Sequence, residues 1–206
     1  MKQWTASAVA LCVAALLWTP ADVGVEARSI GINPQASARV VVARPRASTS
    51  AAVYYRRGVT NLQHGNYKGA IIDFDAALRV NRRYASAYFG LGNAYYAEGR
   101  HRRAIAAYTR FLALTPHDPY AYGAYYNRAL NYDAMRRYRS ASADYTRCLS
   151  LQRRDANAYL YRGLDRGHLG NHRGAVADVQ EAERLYTAQK NSAGARQARA
   201  ILRQLR

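Results

Sequence analysis

"AAVYYRRGVTNLQHGNYKGAIIDFDAALRVNRRY" occupies residues 51–84, and "ASAYFGLGNAYYAEGRHRRAIAAYTRFLALTPHD" follows it at residues 85–118. Both stretches place aromatic, small and apolar residues in the same order. "YGAYYNRALNYDAMRRYRSASADYTRCLSLQRRD" repeats that order at residues 122–155, after three extra residues, and "ANAYLYRGLDRGHLGNHRGAVADVQEAERLYTAQ" repeats it at residues 156–189. Self-similarity at about this period is typical of an array of stacked helical hairpins.

The spacing within each unit predicts two helices joined by a short turn. Positions 4, 8 and 11 of a unit share one helical face, and positions 20, 24 and 27 share another. Position 4 is Tyr in every unit, as Tyr54, Tyr88, Tyr125 and Tyr159, and position 8 is small, as Gly58, Gly92, Ala129 and Gly163. Position 20 is always Ala, as Ala70, Ala104, Ala141 and Ala175. Position 24 is large and apolar, as Phe74, Tyr108, Tyr145 and Val179. Three of the turns contain Gly, whereas the third, "MRRY", does not.

These columns resemble the tetratricopeptide repeat, in its secreted bacterial form, over residues 51–189. The resemblance implies an all-α fold, a right-handed α-solenoid of four hairpins with units at residues 51–84, 85–118, 122–155 and 156–189. Residues 190–206 carry an apolar stripe with an arginine-rich back, which predicts a C-terminal capping helix. The three extra residues are expected to lengthen one helix by a turn, with Asp118 as its N-cap and Pro119 in its first turn.

The N-terminal residues predict export. Lys2 precedes an apolar run of 13 residues, "ASAVALCVAALLW", which is shorter than the roughly 20 residues that a membrane span needs. Residues 1–27 are therefore interpreted as a signal peptide, cleaved after Ala27 or Ala21, and residues 28–50 as a flexible basic linker. We expect a periplasmic or secreted protein, with no transmembrane span in the mature chain.

Two columns vary together and predict an ion pair inside each hairpin. Position 7 is Arg57, Leu91, Arg128 and Arg162, and position 23 is Asp73, Ala107, Asp144 and Asp178. Arg and Asp are present together, and where Leu replaces Arg, Ala replaces Asp. We interpret these residues as an Arg–Asp pair that joins the two helices of a unit.

The family resemblance implies a partner-binding groove lined by the first helix of each unit. Positions 5 and 9 fall there, and they form an apolar, aromatic strip with a few polar neighbours: Tyr55, Val59, Phe89, Asn93, Tyr96, Tyr126, Asn127, Leu130, Leu160 and Leu164. Exposed apolar strips on monomers are commonly interaction sites, although the same residues could instead pack between repeats. A peptide or protein segment is the partner that this strip predicts.

The net charge leaves a second kind of partner open. Lys and Arg total 31 against 13 Asp and Glu, so the formal charge is +18. Position 18 is basic in every unit, as Lys68, Arg102, Arg139 and Arg173, which predicts a basic ridge. Such a ridge either keeps the protein soluble or binds a polyanion, which would be nucleic acid or an anionic component of the cell envelope.

Motifs for catalysis are missing from the sequence. It contains no phosphate-binding Gly loop, no nucleophile elbow and no cluster with metal-ligand spacing. We therefore expect a non-catalytic scaffold without cofactor, metal or small-molecule substrate. Cys148 stands in a slot for small residues and is expected to be buried.

Overall fold

The computed structural model describes residues 50–205, so the predicted signal peptide and nearly all of the predicted linker lie outside the described residues. Within this range the secondary structure is entirely helical. The helices are α1 (Ala51–Gln63), α2 (Tyr67–Val80), α3 (Ala85–Ala97), α4 (His101–Leu114), α5 (Ala121–Ala134), α6 (Tyr138–Leu151), α7 (Ala156–His168), α8 (His172–Ala188) and α9 (Ser192–Gln204).

The helices form four hairpins that stack in chain order. Each first helix packs on the second helix of its own unit, and each second helix packs on the first helix of the next unit. The first helices also contact one another, α1 with α3 and α3 with α5, whereas no two second helices in residues 50–205 pack as closely. The array therefore curves towards its first helices, which form the inner face. This confirms the predicted α-solenoid.

Large and small residues meet where the two helices of a hairpin cross. The position-24 side chains of Phe74, Tyr108, Tyr145 and Val179 are completely buried. A Cβ atom added at Gly58 would lie 2.7 Å from the Phe74 ring, and one added at Gly92 would lie 2.5 Å from the Tyr108 ring. Position 8 is thus small because the ring at position 24 occupies the space of its side chain, and overfilling such a space is destabilising.

The turn inside each hairpin contains one residue with left-handed backbone geometry. Gly65, Gly99 and Gly170 have φ between 71° and 78°. Arg136 takes the equivalent place in the third hairpin with φ of 55°. The turn without glycine therefore keeps the same geometry, at a cost of about 1 kcal/mol for a residue with a Cβ atom.

Of the three extra residues, Pro119 and Tyr120 lie in the loop before α5 and only Ala121 belongs to the helix, so the prediction that the helix is longer by a full turn was wrong. α4 ends at Leu114, and α5 begins at Ala121, with Tyr120 as its N-cap residue. Asp118 Oδ1 accepts a hydrogen bond from the Tyr120 backbone N–H at 2.7 Å, which closes a tight turn before the helix. The Tyr120 ring then packs against Phe89, with 6.1 Å between ring centroids.

The C-terminal helix α9 packs against α8. Ala195, Ala198 and Leu202 are buried with Val179, Ala182, Leu185 and Tyr186 in one cluster. Asn191 begins the helix, because its side chain accepts a hydrogen bond from the Gly194 backbone N–H at 2.9 Å. The apolar stripe of α9 therefore covers the last face of the hairpin array that residues 50–205 contain.

The predicted Arg–Asp pairs are confirmed in three hairpins. Arg128 Nε and Nη2 donate to the two oxygens of Asp144, both at 2.7 Å. Arg162 binds Asp178 in the same two-pronged way, at 2.9 and 2.8 Å, and Arg57 Nε donates to Asp73 at 2.8 Å. In the second hairpin, Leu91 and Ala107 are buried in place of the pair.

Each of these arginines also makes contacts beyond its aspartate. The guanidinium carbon of Arg128 lies 5.5 Å from the centre of the Tyr125 ring, and that of Arg162 lies 5.4 Å from the Tyr159 ring. Arg128 Nη1 donates to Thr109 Oγ1 of the preceding unit at 3.0 Å. In the third hairpin the Arg–Asp pair therefore joins the two helices, and its arginine also links the hairpin to the preceding one.

We predict that Asp144→Ala lowers the free energy of unfolding by about 1–3 kcal/mol or more, because it leaves the largely buried guanidinium of Arg128 without its anion. The double substitution Arg128→Leu with Asp144→Ala recreates the apolar pair of the second hairpin and should recover part of that loss. Urea unfolding of the wild type, both single variants and the double variant measures the coupling. Strictly additive effects would contradict the pairing.

Candidate partner-binding groove and basic edge

The first helices, which form the inner face, carry half-buried apolar side chains at position 9 of their units. Val59, Leu130 and Leu164 are each half-buried in α1, α5 and α7. Leu130 and Leu164 are part of none of the core clusters formed by residues 50–205. Part of their apolar surface is therefore exposed to solvent on the first helices. Tyr96 is also half-buried and packs at the edge of a core cluster.

The aromatic residues predicted at position 5 pack mainly within their own hairpins. The ring centroids of Tyr55 and Phe74 lie 5.8 Å apart, those of Phe89 and Tyr108 lie 5.8 Å apart, and those of Tyr126 and Tyr145 lie 5.7 Å apart. Burial raises the pKa of the Tyr55 and Tyr126 hydroxyls above its ordinary value. Leu160, the fourth member of this column, is 2% exposed and offers no surface to a partner, which corrects its place in the predicted groove.

Two predicted polar contacts of the groove are buried in the joint between the second and third hairpins. Asn93 and Asn127 are 7% and 5% exposed. The Tyr108 hydroxyl donates to Asn93 Oδ1 at 2.7 Å, and Asn127 Nδ2 donates to the same oxygen at 3.2 Å. Asn131 Nδ2 donates to the backbone oxygen of Asn127 at 2.7 Å. These amides hold the two hairpins together, so the prediction that they contact a partner is corrected.

Four tyrosines cluster at the third and fourth hairpins, and the sequence analysis did not single out this group. Tyr122 stacks on Tyr126 with centroids 5.9 Å apart, and Tyr161 stacks on Tyr145 at 5.7 Å. The Tyr122 hydroxyl donates to Asp155, the N-cap residue of α7. Burial, followed by the bond to Asp155, raises the pKa of the Tyr122 hydroxyl. The cluster fixes the orientation of α5 relative to α7, the two helices that carry Leu130 and Leu164.

The turns inside the four hairpins lie along one edge of the array and are strongly basic. We call this surface the basic edge. It comprises the exposed side chains of Lys68, Arg100, Arg102, Arg103, Arg136, Arg137, Arg139 and Arg173. All four residues of the predicted ridge are among them. In the same turns, residues 64–68, 98–103, 135–139 and 169–173, Glu98 is the one carboxylate, and Arg100 Nη1 donates to it at 3.0 Å.

Some arginines of the basic edge are held in place by tyrosine rings. The guanidinium carbons of Arg100 and Arg103 lie 5.3 and 5.8 Å from the centre of the Tyr95 ring. The guanidinium carbon of Arg137 lies 4.9 Å from the Tyr132 ring. Such cation–π contacts restrict the side chain while leaving N–H groups available to an anion. An open pocket of about 400 Å³, lined by residues 99–103 and Met135, lies among these groups.

Groups for covalent or metal chemistry are scarce in the described part of the chain. Cys148 is buried, as predicted, and burial raises the pKa of its thiol. Among residues 50–205 no three His, Cys, Asp or Glu side chains lie close enough together to hold a metal ion. None of the described helices is both long and apolar enough to cross a bilayer.

Comparison with known proteins places this architecture in a known class. Two family models described as tetratricopeptide repeat match residues 55–119 and 122–155. Superkiller protein 3 of Schizosaccharomyces pombe is 40% identical over 63 residues, which is 31% of this chain and 4% of that protein. The chain therefore spans only a small fraction of the length of this curated relative.

Solved structures share the fold at low identity. A tetratricopeptide repeat protein from Parabacteroides merdae matches with a TM-score of 0.65 and 22% identity, over 76% of this chain and 60% of that one. YrrB, described as a tetratricopeptide repeat protein with an unusual peptide-binding site, matches with a TM-score of 0.60 and 16% identity, over 76% and 87%. The family models therefore find tetratricopeptide repeats at residues 55–119 and 122–155, and the hairpin of α7 and α8 continues the same solenoid.

Proposed function

We propose that this chain is a non-catalytic scaffold that binds a peptide or protein segment on its inner face. The single observation that carries the proposal is the half-buried apolar surface of Leu130 and Leu164, two residues of first helices that lie outside every core cluster of residues 50–205. Apolar side chains in such a position lose their contact with water when a partner covers them. The fold also resembles that of YrrB, a protein described as having a peptide-binding site.

The inner face suits a short segment that supplies a few apolar side chains. Val59, Leu130 and Leu164 recur once per hairpin in α1, α5 and α7, so an extended segment lying across the first helices meets them in turn. Asn93 interrupts the column in α3 and is buried by its bonds to Tyr108 and Asn127. We propose that α5 and α7, with the tyrosine cluster behind them, supply the main anchors.

The second candidate function is favoured by the charge of the basic edge. Eight exposed cations and one carboxylate, itself paired with Arg100, make this surface attractive to a polyanion. Arginine suits phosphate better than lysine does, because its planar group donates two parallel hydrogen bonds. We propose that the edge binds a phosphate-rich polymer or surface, either nucleic acid or an anionic component of the cell envelope, at a site separate from the inner face.

The groove proposal predicts that Leu130→Gln with Leu164→Gln weakens peptide binding at least tenfold, because anchor side chains of an interface typically contribute about 2 kcal/mol each. Peptides are first selected on the wild-type protein from a random library displayed on phage. Their affinities are then measured for both proteins. Binding through an apolar face should persist at high salt concentration.

Ile72→Gln with Leu151→Gln is the matched control, because these exposed residues lie on second helices, 63% and 55% exposed. It should leave the affinity unchanged. Circular dichroism checks that all variants remain helical. If the library yields no peptide, or if both double variants weaken binding equally, the groove proposal fails.

The edge proposal predicts that changing Lys68, Arg102, Arg139 and Arg173 together to Gln reduces the affinity for a single-stranded oligonucleotide and flattens its salt dependence. Each phosphate contact contributes about 0.7 to the slope of log K against log[salt], so four lost contacts should reduce the slope by about 2.8. Fluorescence anisotropy at several salt concentrations measures this slope. Vesicles containing phosphatidylglycerol test the envelope alternative in parallel.

The control for the edge prediction is a second quadruple variant, which removes equal charge from the opposite edge of the array. In it, Arg82, Arg83, Arg153 and Arg154 are changed to Gln. These exposed residues lie in the turns between hairpins, the set of turns that also contains Asp118 and Asp155. The control should retain most of the affinity. Equal losses in the two quadruple variants would mean that net charge, and not the basic edge, determines binding.

We also propose that the scaffold acts outside the cytoplasm, because residues 1–27 have the composition of a signal peptide. The mature protein from its native host should begin at Arg28 or Asp22. N-terminal sequencing of that protein tests this, and a chain that begins at Met1 would refute export.

A further inference from the structure

Two buried carboxyl groups meet between the third and fourth hairpins. Asp133 lies in the last turn of α5 and Asp165 lies in α7, and their carboxyl groups are within hydrogen-bonding reach of each other. Asp165 is 2% exposed. Asp133 Oδ1 and Asp165 Oδ2 are buried, and no donor outside the pair itself, among residues 50–205, bonds to either oxygen. Ionised carboxylates only accept hydrogen bonds, so a bond between the two groups requires a proton on one of them.

The neighbouring groups do not neutralise this pair. On α6, the Tyr145 hydroxyl donates to Asp133 Oδ2 at 2.8 Å. On α7, Arg166 is directly adjacent to Asp165 in sequence, but its guanidinium binds Asp178 of α8 at 2.8 Å. Among residues 50–205, no cationic nitrogen forms an ion pair with the carboxylate of Asp133 or with that of Asp165.

Two further titratable groups face the pair. His168 of α7 is exposed and stacks on Tyr138 of α6 at 4.2 Å between centroids, and it attracts the charge of Asp133. The hydroxyl of Tyr161 is partly buried near Asp133, and burial followed by that carboxylate raises its pKa. A charged His168 would favour ionised Asp133, and neutral Tyr161 adds no charge.

Burial and the adjacent Asp133 raise the pKa of Asp165 to about 9. Burial also raises the pKa of Asp133, against the opposing effects of the hydrogen bonds from Asp165 and Tyr145. The proton therefore lies mainly on Asp165, which donates to Asp133, while Tyr145 donates to the other Asp133 oxygen. This arrangement leaves one negative charge in the joint, held by two hydrogen bonds.

We propose that Asp133 and Asp165 share one proton and form a pH-sensitive joint between the third and fourth hairpins. Loss of the proton places two charges side by side in a buried interface, and their repulsion loosens the contact of α5 with α7. The joint lies between the helices that carry Leu130 and Leu164, so it also sets how well that part of the inner face is ordered.

The direction of the pH effect follows from proton binding in the two states. Between about pH 4 and pH 9 the folded protein holds one proton more than the unfolded chain, so this group's contribution to stability decreases as pH rises. The stabilising contribution of the shared proton is fully present below pH 4 and lost above pH 9. One extra bound proton changes the folding equilibrium constant about tenfold per pH unit.

Asp165→Asn tests the proposal, because its amide can still donate to Asp133 but cannot lose a proton in this range. Urea unfolding is measured from pH 5 to pH 9. For each unit that the pH rises, the folding equilibrium constant of the wild type should decrease by a factor about ten times larger than the factor for Asp165→Asn. Asp133→Asn should flatten the profile in the same way. Glu183→Gln, which removes a carboxylate 3.7 Å from Arg199, should parallel the wild type.

Infrared spectroscopy detects the proton directly. With ¹³C-labelled aspartate, the wild type at pH 7 should show the carbonyl band of a protonated carboxylic acid, and Asp165→Asn should lack it. The band should disappear from the wild type near pH 9. A wild type without this band at pH 7, or asparagine variants with the wild-type pH profile, would overturn the proposal. The wild-type spectrum decides the question even where a variant fails to fold.

Discussion

A hairpin of this chain cannot bury its own apolar face, and the rest of the structure depends on that constraint. The rings of Phe74, Tyr108 and Tyr145 are completely buried only because a small residue faces each from the partner helix and the next hairpin covers the other side. Removing a neighbour would expose a face built for contact, so the hairpins are stable as an array and not singly. The inner face, the basic edge and the terminal helix α9 all result from this stacking.

The Arg–Asp pairs orient the two helices of a hairpin relative to each other. Arg128 and Asp144 join two helices through two parallel bonds, and the buried Leu91 and Ala107 occupy the same positions in the second hairpin. A buried ion pair and well-packed apolar residues often contribute similarly to the stability of a protein, so Leu91 and Ala107 can replace the Arg–Asp pair in the second hairpin. The arginine also fixes the angle between helices, because its planar group meets the carboxylate in one geometry.

Repetition explains what could be predicted from the sequence. The hairpins and the Arg–Asp pairs recur in register, so comparing the units with one another revealed them. Asp133 and Asp165 stand at different positions of their units and occur once each, so no column pointed to their contact. The role of Leu160 was also hidden, because a position on the inner helices does not tell whether a residue faces a partner or the next hairpin. The loop at residues 115–120 depends on one hydrogen bond that Asp118 accepts from the Tyr120 backbone N–H.

The arginine-to-threonine bonds make the links of the array unequal. Arg128 reaches back to Thr109, and Arg162 reaches back to Thr146 at 3.3 Å, so the third and fourth hairpins are each tied to the one before. Leu91 occupies the arginine position in the second hairpin and cannot make this bond to Asp75, which stands at the threonine position of the first. At this point the first hairpin is therefore joined to the second without a hydrogen bond from the arginine column, although Arg103 of the second hairpin attracts the charge of Asp75. A pulling force applied along the array would therefore load a hydrogen bond of the arginine column at the second and third links between hairpins, and none of that column at the first.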